Sequence, residues 1–421
     1  MGTYIYSLRS PKNVKTIEVN ARESHKDFRP PGHARIPWIL VRPPLFLEDP
    51  MASVWSSLSN IPDPRTGNAQ RHKLLDVLTI ALVASICGAE SCVDFADFAR
   101  DREALFREFL ELPGGPPSHD TFSRVFRLLD PAAFGSCFAA FLDDLGAEGT
   151  GVLAIDGKTL RRSHDRAAGK SALHVVTAFA TDARIVIGQA AAGDKENEII
   201  TARRLLGLID LEGMLVTGDA MHCQSETARI IRERGGQYLF TLKKSRPAQL
   251  AWVEAWFADP ANKPDGVLTT TDADNGRIET RRHMVCHDVN WFVSDRRYPD
   301  EAPMPDLAML GKIETSFEKD GKITSFHRYY MSSVAMDATA FAAAARAHWR
   351  IENSLHWVLD VTFDEDRARN RKDHGPENLA ALRKLALNVL RKARPDISIR
   401  RKRKRSGWSD EFARSVLGQM R

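Results

Sequence analysis

Hydrophobic and polar positions follow different periods along the chain, and the changes of period divide it. Residues 1–55 show neither helical nor strand periodicity, and seven prolines fall within the first 50; a poorly ordered leader is expected there. From 56 to 147 the pattern is helical. Its most apolar run, 77–89, is 13 residues long, short of the roughly 20 that span a membrane, so it reads as a core helix. Phe95, Phe98, Phe106, Phe109 and Leu110 continue the apolar pattern. Ser118 is then placed to cap a helix with Phe122, Val125, Phe126 and Leu129 on one face and His119, Arg124 and Arg127 on the other. That polar face suits solvent or a DNA major groove, and a small helical DNA-binding domain is expected.

Between 151 and 247 the period switches. Apolar runs at 151–155, 173–180 and 184–191 read as strands, 197–209 as a helix, and 214–218 as a strand. A helix at 224–234 stops at Gly235 and Gly236, and a strand follows at 237–242. Three strands before the first helix imply an antiparallel meander, and later helices imply crossovers. The expected fold class is therefore α/β, a mixed sheet with flanking helices over 148–247. Short pieces at 267–271, 277–285, 290–293, 312–317 and 323–334, parted by Asp, Gly and Pro, predict a β-rich insertion over 248–336. Asp337 then caps a helix reaching about 360, and Pro376 opens another through Leu379, Leu382, Leu385, Leu387 and Leu390. Residues 337–395 are expected to complete the core, with 396–421 as a basic tail.

Charge sharpens this division. The 421 residues carry a net charge of +5, yet 391–405 alone holds nine Lys/Arg and one acid, leaving the rest of the chain at −3. Such a block either stays solvated or neutralises phosphates of a nucleic acid. Five cysteines lack a Cys-x-x-Cys pair, and no compact apolar segment opens the chain, so a cytoplasmic protein in a reducing compartment is expected, without membrane attachment. No glycine-rich Walker loop suggests ATP. His222 with Cys223, and His283 with Cys286 and His287, lack the second paired cluster of a structural zinc site.

Two carboxylates stand out because each ends an apolar strand. Asp156 and Asp219 lie on strands expected side by side, where two like charges share a proton or hold a divalent cation. Hydrogen bonding to turn amides is the alternative. On the helix from 337, His348, Glu352, His356 and Asp360 recur every fourth residue among Trp349, Leu355, Trp357, Val358 and Leu359. Glu352 could thus complete a three-carboxylate site, although a Glu–His pair at this spacing is also common on surfaces. Asp194, Glu196 and Glu198, and Asp364, Glu365 and Asp366, read as solvated loop acids.

These residues carry a family resemblance. The segments Ile155-Asp156-Gly157-Lys158-Thr159-Leu160-Arg161 and Gly218-Asp219-Ala220-Met221, with the stretch from His348 to Val361 around Glu352, resemble the H-repeat-associated group of bacterial insertion-sequence transposases. Supporting motifs lie in order at 62–65, 87–91, 117–122, 276–282 and 375–379, so the likeness runs from about 58 to 393. It implies a ribonuclease-H-like core, whose element order matches the one above, and a D-D-E site of Asp156, Asp219 and Glu352. It further implies two Mg²⁺ ions, replaceable by Mn²⁺, that serve cleavage of double-stranded DNA at the element's ends and attack of the freed 3′-hydroxyl on target DNA. Joining two ends implies a homodimer on DNA and nucleoid association.

The last motif departs from the family pattern. Related enzymes often place Tyr and Arg before the Glu and Lys after it, whereas here His348 and His356 flank Glu352 and Leu359 stands seven residues on. Phosphate contacts are then expected from Lys158, Arg161 and Arg162, from His348 and His356, and from Arg367, Arg369 or Arg371. A ribonuclease-H-like nuclease without strand transfer, or a catalytically inactive DNA-binding repressor, remains an alternative.

Overall fold

The structure, a computed structural model, describes residues 58–144, 151–165, 169–193, 196–274, 277–293, 302–319 and 322–418; the expected leader lies outside the described residues. Helices come first: α1 (Leu74–Cys87), α2 (Cys92–Asp101), α3 (His119–Leu128) and α4 (Pro131–Asp144). Ser91 caps α2 through a reciprocal bond with Asp94, and the Ser118 hydroxyl accepts from the Thr121 amide at the start of α3. Phe122, Val125 and Phe126 of α3 are buried, as the pattern requires.

Strands β1 (Gly151–Thr159), β2 (His174–Ala180) and β3 (Ile185–Ala191) form the antiparallel meander. Helix α5 (Glu198–Leu208), capped by Asn197, leads to β4 (Met214–Gly218), and α6 (Ser225–Glu233) leads to β5 (Gln237–Leu242). Both later strands run parallel to β1, in the order β3-β2-β1-β4-β5.

The expected insertion is not a separate layer. Its strands β6 (Gly266–Asp274), β7 (Arg277–Cys286), β8 (Met309–Lys319) and β9 (Lys322–Ser332) extend the same sheet, because β9 pairs antiparallel with β5 to give nine strands. Two of its parts differ from the reading. A helix, α7 (Pro247–Ala258), precedes β6, and Asn290–Val293 is a single helical turn instead of a strand. Four residues are too few to show a period; tertiary packing decides, with Trp291 stacked on Trp256 of α7 at 5.8 Å between centroids.

Helix α8 (Ala338–His348), capped by Asp337, does not run unbroken to 360. A π-helical turn, Ile351–His356, separates it from α9 (Trp357–Phe363). After α10 (Gly375–Lys392) the basic segment forms two further helices, α11 (Ile399–Trp408) and α12 (Asp410–Gly418). One apolar cluster joins Val77, Phe95 and Phe126 of the first helices to Phe179 of β2, Ile185 of β3 and Leu382 and Leu385 of α10. Helix α10 also seals the exposed edge of β3: the Asn388 amide donates to the Val186 carbonyl at 2.9 Å and accepts from its N–H at 3.0 Å. Such pairing blunts a strand edge that would otherwise offer free backbone groups. No single helix among the described residues is long and apolar enough to cross a membrane.

Candidate active site

Strand register puts two acids side by side. Ile155 of β1 lies opposite Gly218 of the parallel β4, so Asp156 and Asp219, each one residue further, emerge from neighbouring strands at the same end of the sheet. His348, the last residue of α8, places Nδ1 3.1 Å from Thr217 Oγ1 and Nε2 3.7 Å from Asp219 Oδ1. The following π-helical turn carries Glu352 and His356; turns of this kind recur at functional sites because they re-aim side chains that regular helix would stagger away. His356 Nδ1 stands 3.4 Å from Asp156 Oδ2 and 3.7 Å from Glu352 Oε2. One donor atom from each of Asp156, Glu352 and His356 lies within 4.8 Å of the other two, and Asp219 does not join that group.

The electrostatics follow from burial and like charge. Desolvation, with the charges of Glu352 and Glu198, pushes the Asp156 carboxyl up to about 7. Asp219, beside the His348 imidazole, is held below the usual carboxylate range. Burial, with Lys384 and Lys158 nearby, drives His356 down to about 4, leaving a neutral imidazole at pH 7; its Nε2 has no partner among the described residues. Two carboxylates in mutual repulsion beside a neutral imidazole make a donor set that fits a divalent cation, the oxygens matching Mg²⁺ or Mn²⁺. His356, expected above to contact phosphate, is buried, at 6% exposure.

A second layer explains the residues around Asp156. Glu198, read as a solvated acid, lies partly buried with Oε2 2.7 Å from His174 Nε2 and Oε1 3.2 Å from His222 Nε2. These bonds pull its carboxyl down to about 2 against the opposing effect of burial. Gly157 is what lets the pair approach: a Cβ there would stand 2.3 Å from His174 Nε2 and 2.4 Å from Glu198 Oε2. The only local signals were the glycine after Asp156 and His222 three residues after Asp219. Neither shows that β2 and α5 meet.

Lys158 also differs from expectation. Its side chain is 14% exposed, with the ammonium paired with Asp360 and lying 3.2 Å from Glu365 and 3.7 Å from Asp366. Glu365, read as a loop acid, is buried; burial alone would raise it, but Lys384 and Lys158 hold its carboxyl below its ordinary value. Arg161 and Arg162 are exposed, as are Arg367, Arg369 and Arg371. The two loops meet where the Arg371 guanidinium donates to the Arg162 carbonyl at 3.3 Å, and Arg161 lies 3.2 Å from Asp366. They form one basic rim. On α3, His119 and Arg124 face outward, whereas Arg127 is tied to Asp373 at 2.7 Å. Asp219 opens into a small cleft with Lys243, Arg328 and Trp349; no local pattern unites these three, which lie just after β5, on β9 and just after α8.

Comparison with known proteins gives the family. Residues 147–389 match the family described as "Transposase DDE domain", and residues 55–142 the DDE_Tnp_1-associated family. YhhI of Escherichia coli K12, whose name assigns it provisionally to the H repeat-associated transposases, is 34% identical over 86% of this chain and 96% of its own length. YncI of Escherichia coli O157:H7, likewise provisionally named a transposase, is 35% identical over 87% of this chain and 94% of its own. A protein encoded in the dhlA 3′ region of Xanthobacter autotrophicus is 38% identical over 66% of this chain and 93% of its own length. The match over residues 147–389 makes this a DNA-processing enzyme of the transposase class. The chain belongs to the transposase DDE family, with the H repeat-associated proteins as its relatives.

Proposed function

We propose that this transposase binds the ends of its element and carries out divalent-metal-dependent strand cleavage and strand transfer, with Asp156, Asp219 and Glu352 as its acidic triad. The convergence of Asp156 and Glu352, from remote parts of the chain, on one point with His356 carries this reading. The strands β1 to β5 with their helices are then a ribonuclease-H-like core. The helices before residue 147 serve DNA binding, and β6 to β9 are the insertion.

Asp156 and Glu352 would hold Mg²⁺, with Asp219 on the adjoining strand end. Bound Mg²⁺ supplies Lewis acidity to the scissile phosphate and lowers the pKa of an attacking water or 3′-hydroxyl. The protein's own part is placement. Neutral His356 backs Asp156 without adding a positive charge that would compete for the carboxylate. His348, held by Thr217, fixes the side of Asp219 that faces the cleft. The rim of Arg161, Arg162, Arg367, Arg369 and Arg371 would orient flanking phosphates of a DNA duplex, as guanidinium groups do. Glu352, exposed at the mouth, is where substrate meets the cluster.

A mini-transposon whose ends are inverted repeats sought in the DNA on either side of this coding sequence tests the proposal. Purified protein with Mg²⁺ is expected to give cut ends and joined products, both lost in Asp156→Ala, Asp219→Ala and Glu352→Ala while end binding persists. Cut ends without joined products would move the protein to the nucleases. Binding without any cleavage would make it a repressor.

A further inference from the structure

The basic block at 400–405 divides into two opposed faces. At about 100° per residue, positions 402, 403 and 406 of α11 fall on one side, and 400, 401, 404, 405 and 408 share an arc of about 140° on the other. The structure follows that division: Lys402, Arg403 and Ser406 are buried, while Arg400, Arg401, Lys404, Arg405 and Trp408 are exposed.

The inward cations are consumed by the fold. Lys402 Nζ donates to the carbonyls of Leu390 and Ala393 at 2.9 and 2.6 Å. Arg403 donates to Ser85 and Ala89 at 2.9 Å each, and to Thr362. These bonds fix α11 against α1, α9 and α10, so the outward cations stand on an anchored helix. Among the described residues none of the four outward cations has a carboxylate within ion-pair distance. Trp408, 74% exposed, sits within their arc, with Lys404 Nζ 5.9 Å from its ring.

We infer that this face of α11 is a docking surface for the phosphate backbone of duplex DNA, separate from the acidic site. Four cations in one arc, none of them neutralised, complement a row of phosphates, and their fixed spacing suits a stiff duplex. A lipid surface fits less well, because an interfacial helix needs an apolar stripe and this face offers one tryptophan. The inference takes the DNA substrate from the family and does not depend on which residues hold metal.

The test is the salt dependence of binding by the full chain to a 30-base-pair duplex of arbitrary sequence in EDTA, followed by fluorescence anisotropy. Each phosphate neutralised contributes about 0.9 to the slope of log affinity against log salt. The quadruple variant Arg400→Gln/Arg401→Gln/Lys404→Gln/Arg405→Gln is expected to lose about 3 to 4 from that slope, so between 50 and 200 mM salt wild-type affinity should fall about 100-fold further than the variant's. Should this variant fail to fold by circular dichroism, Arg400→Gln/Lys404→Gln is expected to lose about half as much slope. An unchanged slope in a folded variant overturns the inference. So does loss of binding to phosphatidylglycerol vesicles with DNA binding intact, which would give the face to a membrane. Because no metal or turnover is needed, these outcomes stand apart from any failure of the cleavage assay.

Discussion

Asp156 carries its charge where the fold disfavours it, and that strain is measurable. In the folded chain its carboxyl titrates near 7, against about 4 in an unfolded one. Between those values the folded state keeps a proton that the unfolded state has released, so this group's contribution to stability declines as pH rises from 4 to 7. His356 acts in the opposite sense. Its folded value of about 4 lies below that of free histidine, so its contribution is lost as pH falls through the same range. Comparison with Asp156→Asn isolates the acid, since His356 is present in both proteins. In EDTA the variant should melt above wild type at pH 8, and the gap should close toward pH 4. Added Mg²⁺ should raise the midpoint of wild type and leave the variant unmoved. A gap that does not change between pH 4 and 8 would mean that Asp156 bears no such penalty.

At the scale of elements, one ammonium joins the strand of Asp156 to the helix that follows Glu352. Lys158 on β1 contacts Asp360 of α9 and Glu365 and Asp366 beyond it, so it holds the π-helical turn over the strand end. Removing one member of a buried pair leaves an uncompensated charge and costs about 3 to 5 kcal/mol. Lys158→Met should fall at the lower end, because Lys384 still faces Glu365. Lys158→Met/Glu365→Gln should recover part of the loss in urea unfolding; a double variant no more stable than the single would sever the proposed link. The strands and helices around this lock were legible from periodicity, from the meander through to the cap at Asp337. What escaped were features that no local pattern encodes. Helix α7 gathers Leu250, Trp252, Val253, Trp256 and Phe257 in an arc of about 160°, but alanines at 248, 251, 255 and 258 fill the opposite side and blur the period, and the π-helical turn keeps the four-residue spacing of its polar stripe while altering its path. The acids at 198 and 365 looked solvated because their histidine and lysine partners lie 19 residues or more away in sequence.

Across the whole molecule, the basic segment near the C-terminal end acts as a clasp, which charge counting could not distinguish from a tail. Arg403 alone reaches the carbonyls of Ser85 and Ala89 at the end of α1 and of Thr362 in α9, with its guanidinium 4.3 Å from the Phe363 ring. Gly407 permits the close approach: a Cβ there would stand 2.5 Å from the Cys87 carbonyl. Arg102 of the helical region returns the contact by pairing with Asp410 of α12. Arg403 therefore touches both the helices before residue 147 and the helix after Glu352. Arg403→Met keeps much of the bulk but removes every donor, taking the guanidinium partner from the Ala89 and Thr362 carbonyls, at a cost of about 1 to 3 kcal/mol for each buried group so stranded. Arg401, two residues earlier and exposed, is the internal control, since surface changes away from such contacts stay within about 0.5 kcal/mol. Arg403→Met should lower the unfolding midpoint and speed tryptic cleavage between α10 and α12, while Arg401→Met should match wild type in both. Equal behaviour of the two variants would mean that α11 adds nothing to the joint between the first helices and the sheet.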